Sequence, residues 1–188
     1  NGSLAREAWQ QQQIGRLVRK DRENRRRLEL LETRLSKVLE TSFTRAAESE
    51  RLNLLSSYLA DTATVIRLVG LRLAQQHVAG GGALPAELQD RIRELMASAE
   101  WREQAAAVRT VASFREARDA QQFMQLLRTV HSREVRLALL NGLGHVGSRS
   151  ATGVLLDFVD EADEQYATEA VAAIGRLAER GVLDETAR

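Results

Sequence analysis

Apolar and polar positions alternate along this chain with the spacing of α-helices. Ile14, Leu17, Asp21, Asn24, Leu28, Leu31, Leu35 and Val38 follow one another at steps of three and four. That is the seam of a heptad repeat with two polar members, Asp21 and Asn24. No glycine or proline falls between Gly15 and Gly70, so the pattern predicts a long N-terminal helix. Its seam, Ile14, Leu17, Asn24, Leu28, Leu31, Leu35 and Val38, predicts pairing with another helix. The alternative is a single amphipathic helix lying on its own domain. A polar residue in such a seam costs stability but can fix register and partner number.

The seam fades after Val38, where its continuation falls on Ser42, Arg45 and Ser49. Thr41, Ser42 and Thr44 are residues that can cap a new helix, and the sequence leaves open whether the first helix is continuous or broken near Thr41. Leu52, Leu55, Tyr58, Leu59, Val65, Ile66, Val69 and Leu73 then cover a face about 160° wide on a helix of ~100° per residue. So wide a face needs more than one neighbour, and residues 45–78 are expected to pack into something. Gly80-Gly81-Gly82 ends this helix, because three glycines are costly inside one, and Pro85 suits the first turn of the next. The expected division is a helical, coiled-coil-like segment over 1–79, a glycine-rich joint over 80–84, and a repeat domain over 85–188.

Beyond Pro85 the pattern repeats. The stretch from Val135 to Gly144 is echoed by Tyr166 to Gly175, with Leu139, Leu140, Leu143 and Gly144 falling on Ala170, Val171, Ile174 and Gly175. A fainter copy lies one period upstream, where Ala106, Val108, Val111 and Phe114 stand for Ala138, Leu140, Leu143 and Val146. Phe123, Met124, Leu126 and Leu127 likewise stand one period before Leu155, Leu156, Phe158 and Val159. Two helices in a period of about 31 residues mean a helical solenoid, here of about three repeats. Turns are expected near Gly144 and Gly175. The stretch from Val135-Arg136 through Leu143-Gly144-His145-Val146-Gly147 resembles the HEAT-like repeat of the bilin-lyase type, over about residues 100–180. In the upstream copy, Ala112 or Ser113 stands where that pattern has glycine. The resemblance implies a fold and no particular activity, since such repeats serve lyases, adaptors and scaffolds alike.

Composition agrees with an all-α chain. Ala, Leu, Arg, Glu and Gln dominate its 188 residues, aromatics are 4%, and Pro85 is the one proline. Net charge is +1. Positions 1–82 hold 14 basic and 9 acidic side chains, and positions 83–188 hold 13 and 17, so the halves differ as surfaces. Without cysteine, disulfides, thiolate metal sites and cysteine nucleophiles are excluded. No stretch approaches the ~18 apolar residues of a membrane span, so a cytoplasmic protein is expected, or the soluble part of a larger or membrane-anchored one.

The motifs of chemistry are weak. Gly142-x-Gly144-x-x-Gly147 fits a dinucleotide fingerprint, but that motif needs a strand before it and a helix after it, and its helical echo at 166–175 argues for a repeat turn. His77, His131 and His145 lack metal-ligand spacing, and no serine has a Gly-x-Ser-x-Gly context. Asp157, Asp160, Glu161, Asp163 and Glu164 form an acidic cluster. As a calcium loop counted from Asp157 it fails, with Ala162 sixth and Thr168 twelfth. It reads as a solvated helix cap or as a docking patch. Arg16, Arg19, Lys20, Arg26 and Arg27 share one helical face away from the seam, either a charged outer face or an anion-binding stripe. No catalytic residue, cofactor or metal is expected. The function expected is a non-catalytic scaffold or adaptor that pairs with itself through the long helix and presents its repeats to a protein. The alternatives are a nucleic-acid-binding repeat protein, against which the acidic repeat half argues, and a lyase-like subunit. Arg128, Arg133, Arg136 and Arg149 are the candidates for an arginine stripe that would evade that mean charge.

Overall fold

The computed structural model describes residues 2–183. Among them are nine helices and no strand, and the chain parts into two compact units between Ala46 and Ala47. The all-α class and the long N-terminal helix are as the periodicity predicts.

The first unit is one helix, α1 (Gly2–Arg45). It does not break near Thr41. Thr41 Oγ1 donates to the Lys37 carbonyl at 2.7 Å and Thr44 Oγ1 to the Glu40 carbonyl at 2.8 Å. A hydroxyl bonded one turn back along its own helix is not capping a new one. The helix stops instead at Ala46, with Arg45 in a last turn whose dipole suits a cation.

The second unit holds α2 (Glu48–Ala60), α3 (Thr64–Ala79), α4 (Ala86–Leu95), α5 (Trp101–Ser113), α6 (Asp119–Thr129), α7 (Arg133–Val146), α8 (Arg149–Val159) and α9 (Glu164–Glu179). The wide apolar face of residues 45–78 belongs to two helices, not one. The turn between them uses neither glycine nor proline. Asp61 Oδ1 accepts from the Ala63 backbone N–H at 2.7 Å, and Arg67 Nη1 donates to the carbonyls of Asp61 and Thr62, each at 2.8 Å. Where α3 passes α2, a Cβ on Gly70 would come 3.0 Å from the Cβ of Tyr58, so glycine permits the close crossing.

Packing makes four helical hairpins, α2–α3, α4–α5, α6–α7 and α8–α9, while α3, α5, α7 and α9 pack side by side as one layer. The glycine joint at 80–82 is therefore a turn within the second unit. Leu55, Leu59, Leu71, Ile92, Met96, Phe123, Leu139, Leu140, Leu143, Leu155 and Leu177 fill the core. The period is real in three dimensions. Val135, Leu139, Gly142 and Val146 are buried, and so are their counterparts one period on, Tyr166, Ala170, Ala173 and Leu177. Four residues of the echo depart from this: Val171 and Gly175 are exposed, and Glu169 and Ile174 are half-buried. α7 packs against α5, α6 and α9, whereas α9 packs mainly against α7 and α8, so among the described residues one flank of α9 is exposed. Gly144 and Gly175 lie inside α7 and α9, not at turns.

Two buried carboxylates tie the first hairpins together. Glu103 of α5 accepts from Arg67 of α3 through both oxygens and from Ser98 Oγ at 2.5 Å. Asp119 accepts two hydrogen bonds from Arg93, at 2.7 and 3.1 Å. Burial alone would push the Glu103 carboxyl up. The hydrogen bonds from Arg67 and Ser98, with the Arg67 charge, outweigh it and hold the group below the usual range.

Candidate functional site

Three surfaces stand out. The first is α1. Along its seam Ile14, Leu17, Asn24, Leu28, Leu31, Leu35 and Val38 are all exposed, the apolar ones by 37% at Leu35 to 67% at Leu17. Asp21, the other polar seam member, already pairs with Arg25 at 2.9 Å. Arg16, Arg19, Lys20, Arg26 and Arg27 are exposed too, with Arg19 Nε donating to the Gly15 carbonyl at 3.2 Å.

The second surface is the acidic turn between α8 and α9, which the structure divides. Asp163 is the N-cap of α9, accepting from the Gln165 backbone N–H at 2.9 Å, and it pairs with Arg133 at 2.9 Å. The hydrogen bond from Arg133 holds its carboxyl below the usual range. Asp157, Asp160, Glu161 and Glu164 remain exposed. The arginines offered as a stripe do not act as one. Arg133 is spent on Asp163, Arg136 Nε donates to the Val130 carbonyl at 2.9 Å, and Arg128 lines a separate cleft with Ser148 and Ser150.

The third surface is not singled out by the sequence motifs. It is a groove of about 730 Å³ on the α3, α5, α7 and α9 layer, lined among others by Val78, Arg109, Arg115, Leu137, Asn141 and His145. Glu169 at its edge is engaged by Asn141 Nδ2 at 2.8 Å and Arg176 Nη2 at 2.7 Å. Arg180 Nη1 donates to the carbonyls of Gly144 and Gly147 at 3.4 and 3.2 Å. The repeat register holds a signal for this groove. Arg109 stands one period before Asn141, Ser113 stands one period before His145, and all four line it.

The glycine fingerprint is accounted for by packing. Gly142 and Gly144 lie inside α7 and are buried. A Cβ on Gly142 would meet the Phe123 ring at 2.4 Å, and one on Gly144 would meet Arg176 Nε at 2.6 Å and the Ala173 Cα at 2.9 Å. Gly147 is the C-cap of α7, its N–H donating to the Leu143 carbonyl at 2.7 Å. With helix on the N-terminal side where a strand would have to stand, the geometry of a dinucleotide site is not built.

The two-helix hairpins, recurring at the period of the sequence and stacked through α5, α7 and α9, accord with a family model. The model for HEAT repeats matches residues 88–175. The match spans α4 to the body of α9, and HEAT repeats are generally scaffolds for protein interaction. No curated protein matches the chain. Among the described residues no group of His, Cys, Asp or Glu could hold a metal ion, and no helix is long and apolar enough to cross a membrane.

Proposed function

We propose that this protein is a non-catalytic interaction scaffold that pairs with a second copy of itself through α1 and presents its HEAT repeats to a protein partner. One observation carries the reading: an unbroken helix of 44 residues holds apolar side chains in heptad register, and those side chains are exposed. Apolar seams of this kind are stable in water when another seam covers them. A second copy offers a seam of the same register, in which Asn24 finds an equivalent polar residue when the helices run parallel. Charge adds to this. The basic α1 and the acidic turn of Asp157, Asp160, Glu161 and Glu164 attract one another between copies, which raises the rate of encounter. That turn is also the patch we assign to a basic segment of the partner.

Sedimentation of the wild type and of a Leu28→Glu, Leu35→Glu variant tests the pairing. The wild type is expected to be dimeric or larger at micromolar concentration, and the variant a monomer with an unchanged melting transition for its repeats. A wild type that stays monomeric as its concentration is raised rejects the proposal.

A further inference from the structure

The groove on the α3, α5, α7 and α9 layer has an electrostatic character that neither the HEAT fold nor helix pairing explains. Glu169, its carboxylate, is already shared between Asn141 and Arg176. Arg180 is held by backbone carbonyls of Gly144 and Gly147. The guanidinium groups of Arg109 and Arg115 have no carboxylate or hydrogen-bond partner among the described residues, yet both line the groove. Arg115 is moreover the one described non-glycine residue with a positive φ, 56°. Left-handed backbone is sterically costly for a long side chain, and Asn or Gly would suit it better.

We propose that this groove binds an acidic segment of a protein partner, with Arg109 and Arg115 receiving its carboxylates. An arginine presents planar donors that match a carboxylate in pairs. Val78, Ala79, Ala112 and Leu137 beside them offer apolar contact to the side chains between those carboxylates. That mixture favours a peptide over a polynucleotide. The surplus of acids in residues 83–188, 17 against 13 basic side chains, also repels an extended polyanion while leaving a local cationic pocket usable.

His145 makes the binding responsive to pH. Burial, then the charges of Arg176, Arg115 and Arg180, hold its imidazole below the ordinary histidine range, and Glu169 opposes them weakly. A carboxylate arriving at Arg115 offsets part of that positive field and raises the histidine's affinity for a proton. Binding therefore favours proton uptake, and affinity rises as pH falls toward the lowered range in which this imidazole protonates. The residues of this groove belong neither to the α1 seam nor to the acidic turn, and the proposal stands whether or not the chain self-pairs.

The test uses the full chain at low salt and a fluorescent peptide of Glu residues interspersed with Leu. The controls are the same peptide with Gln for Glu, inorganic phosphate as competitor, and a single-stranded oligonucleotide. Anisotropy is expected to show binding of the Glu peptide that weakens by about tenfold or more in an Arg109→Gln, Arg115→Asn variant, since two charge-assisted contacts are lost. Arg128→Gln and an Arg19→Gln, Arg26→Gln variant should leave it unchanged. Affinity should rise as pH falls from about 7 to about 5 in the wild type and stay flatter in His145→Gln. Asparagine suits a positive φ, and the melting temperature reports whether each variant folds. The proposal is overturned by equal affinity for the Glu and Gln peptides, by loss of binding on the α1 substitutions instead, or by an oligonucleotide or phosphate that displaces the peptide and binds more tightly.

Discussion

At the scale of single residues, the glycines of α7 are set by packing distances. A methyl group on Gly142 has to displace the Phe123 ring, and one on Gly144 runs into the backbone of α9 at Ala173. Gly142→Ala and Gly144→Ala are therefore each expected to destabilise the repeats by about 1–3 kcal/mol, the usual cost of overpacking. Gly175 has nothing within 4 Å and lies on an exposed flank of α9. Gly175→Ala should stabilise by about 0.5–1 kcal/mol through helix propensity alone. Urea denaturation of the three variants checks this, and three effects of one sign would refute it. The sequence echo pairs Gly144 with Gly175 as equivalents. What separates them is whether a neighbouring helix lies across them, and a one-dimensional pattern does not contain that. Arg109 and Arg115 are inconspicuous in the sequence for the same reason: what distinguishes them from other arginines is that their neighbours lack partners to offer.

Among the elements, those marked by glycine and proline were legible and those marked by side-chain hydrogen bonds were not. Gly80-Gly81-Gly82 with Pro85 announces the end of α3 and the start of α4. The α2–α3 turn has no such residue. It depends on Asp61 turning back on Ala63, and on Arg67 reaching from α3 to the carbonyls of Asp61 and Thr62 while pairing with Glu103 on α5. One side chain thus closes a hairpin and docks it on the next. Arg67→Ala leaves Glu103 buried without its cation, which should cost about 3–5 kcal/mol, and hydrogen exchange of α2 and α3 should accelerate more than that of α7. The acid limb carries the same signature. Glu103 has a lowered pKa when folded, so its contribution is present above the ordinary glutamate range of about 4.3 and is lost as pH falls through the lower, folded value. That loss should be absent in Arg67→Ala. An Arg67→Ala protein with wild-type stability at neutral pH, or with the same acid limb, would contradict the role given to this residue.

On the scale of the whole molecule, the helical class, the long first helix and the repeat period were all legible, because each follows from spacing that core packing enforces. The period survives folding as a register of buried positions in α5, α7 and α9. Where the repeats begin was less legible, because α2 and α3 join the stack as a fourth hairpin without sharing the later sequence pattern. The proposed self-pairing through α1 follows from an exposed apolar seam and is open to a direct measurement. The chain has no cysteine, so one introduced thiol reports on one contact. Under mild oxidation, Leu28→Cys is expected to form a disulfide-linked dimer if the paired helices run parallel. A mixture of Asn24→Cys and Leu28→Cys chains would cross-link instead if they run antiparallel about the middle of the seam. Arg26→Cys, on the basic outer face, should form little in either case, because bridging requires Cα atoms within about 7 Å. Efficient cross-linking at the seam and not at residue 26 is the predicted result; cross-linking no greater at Leu28→Cys, alone or mixed with Asn24→Cys, than at Arg26→Cys would contradict the account.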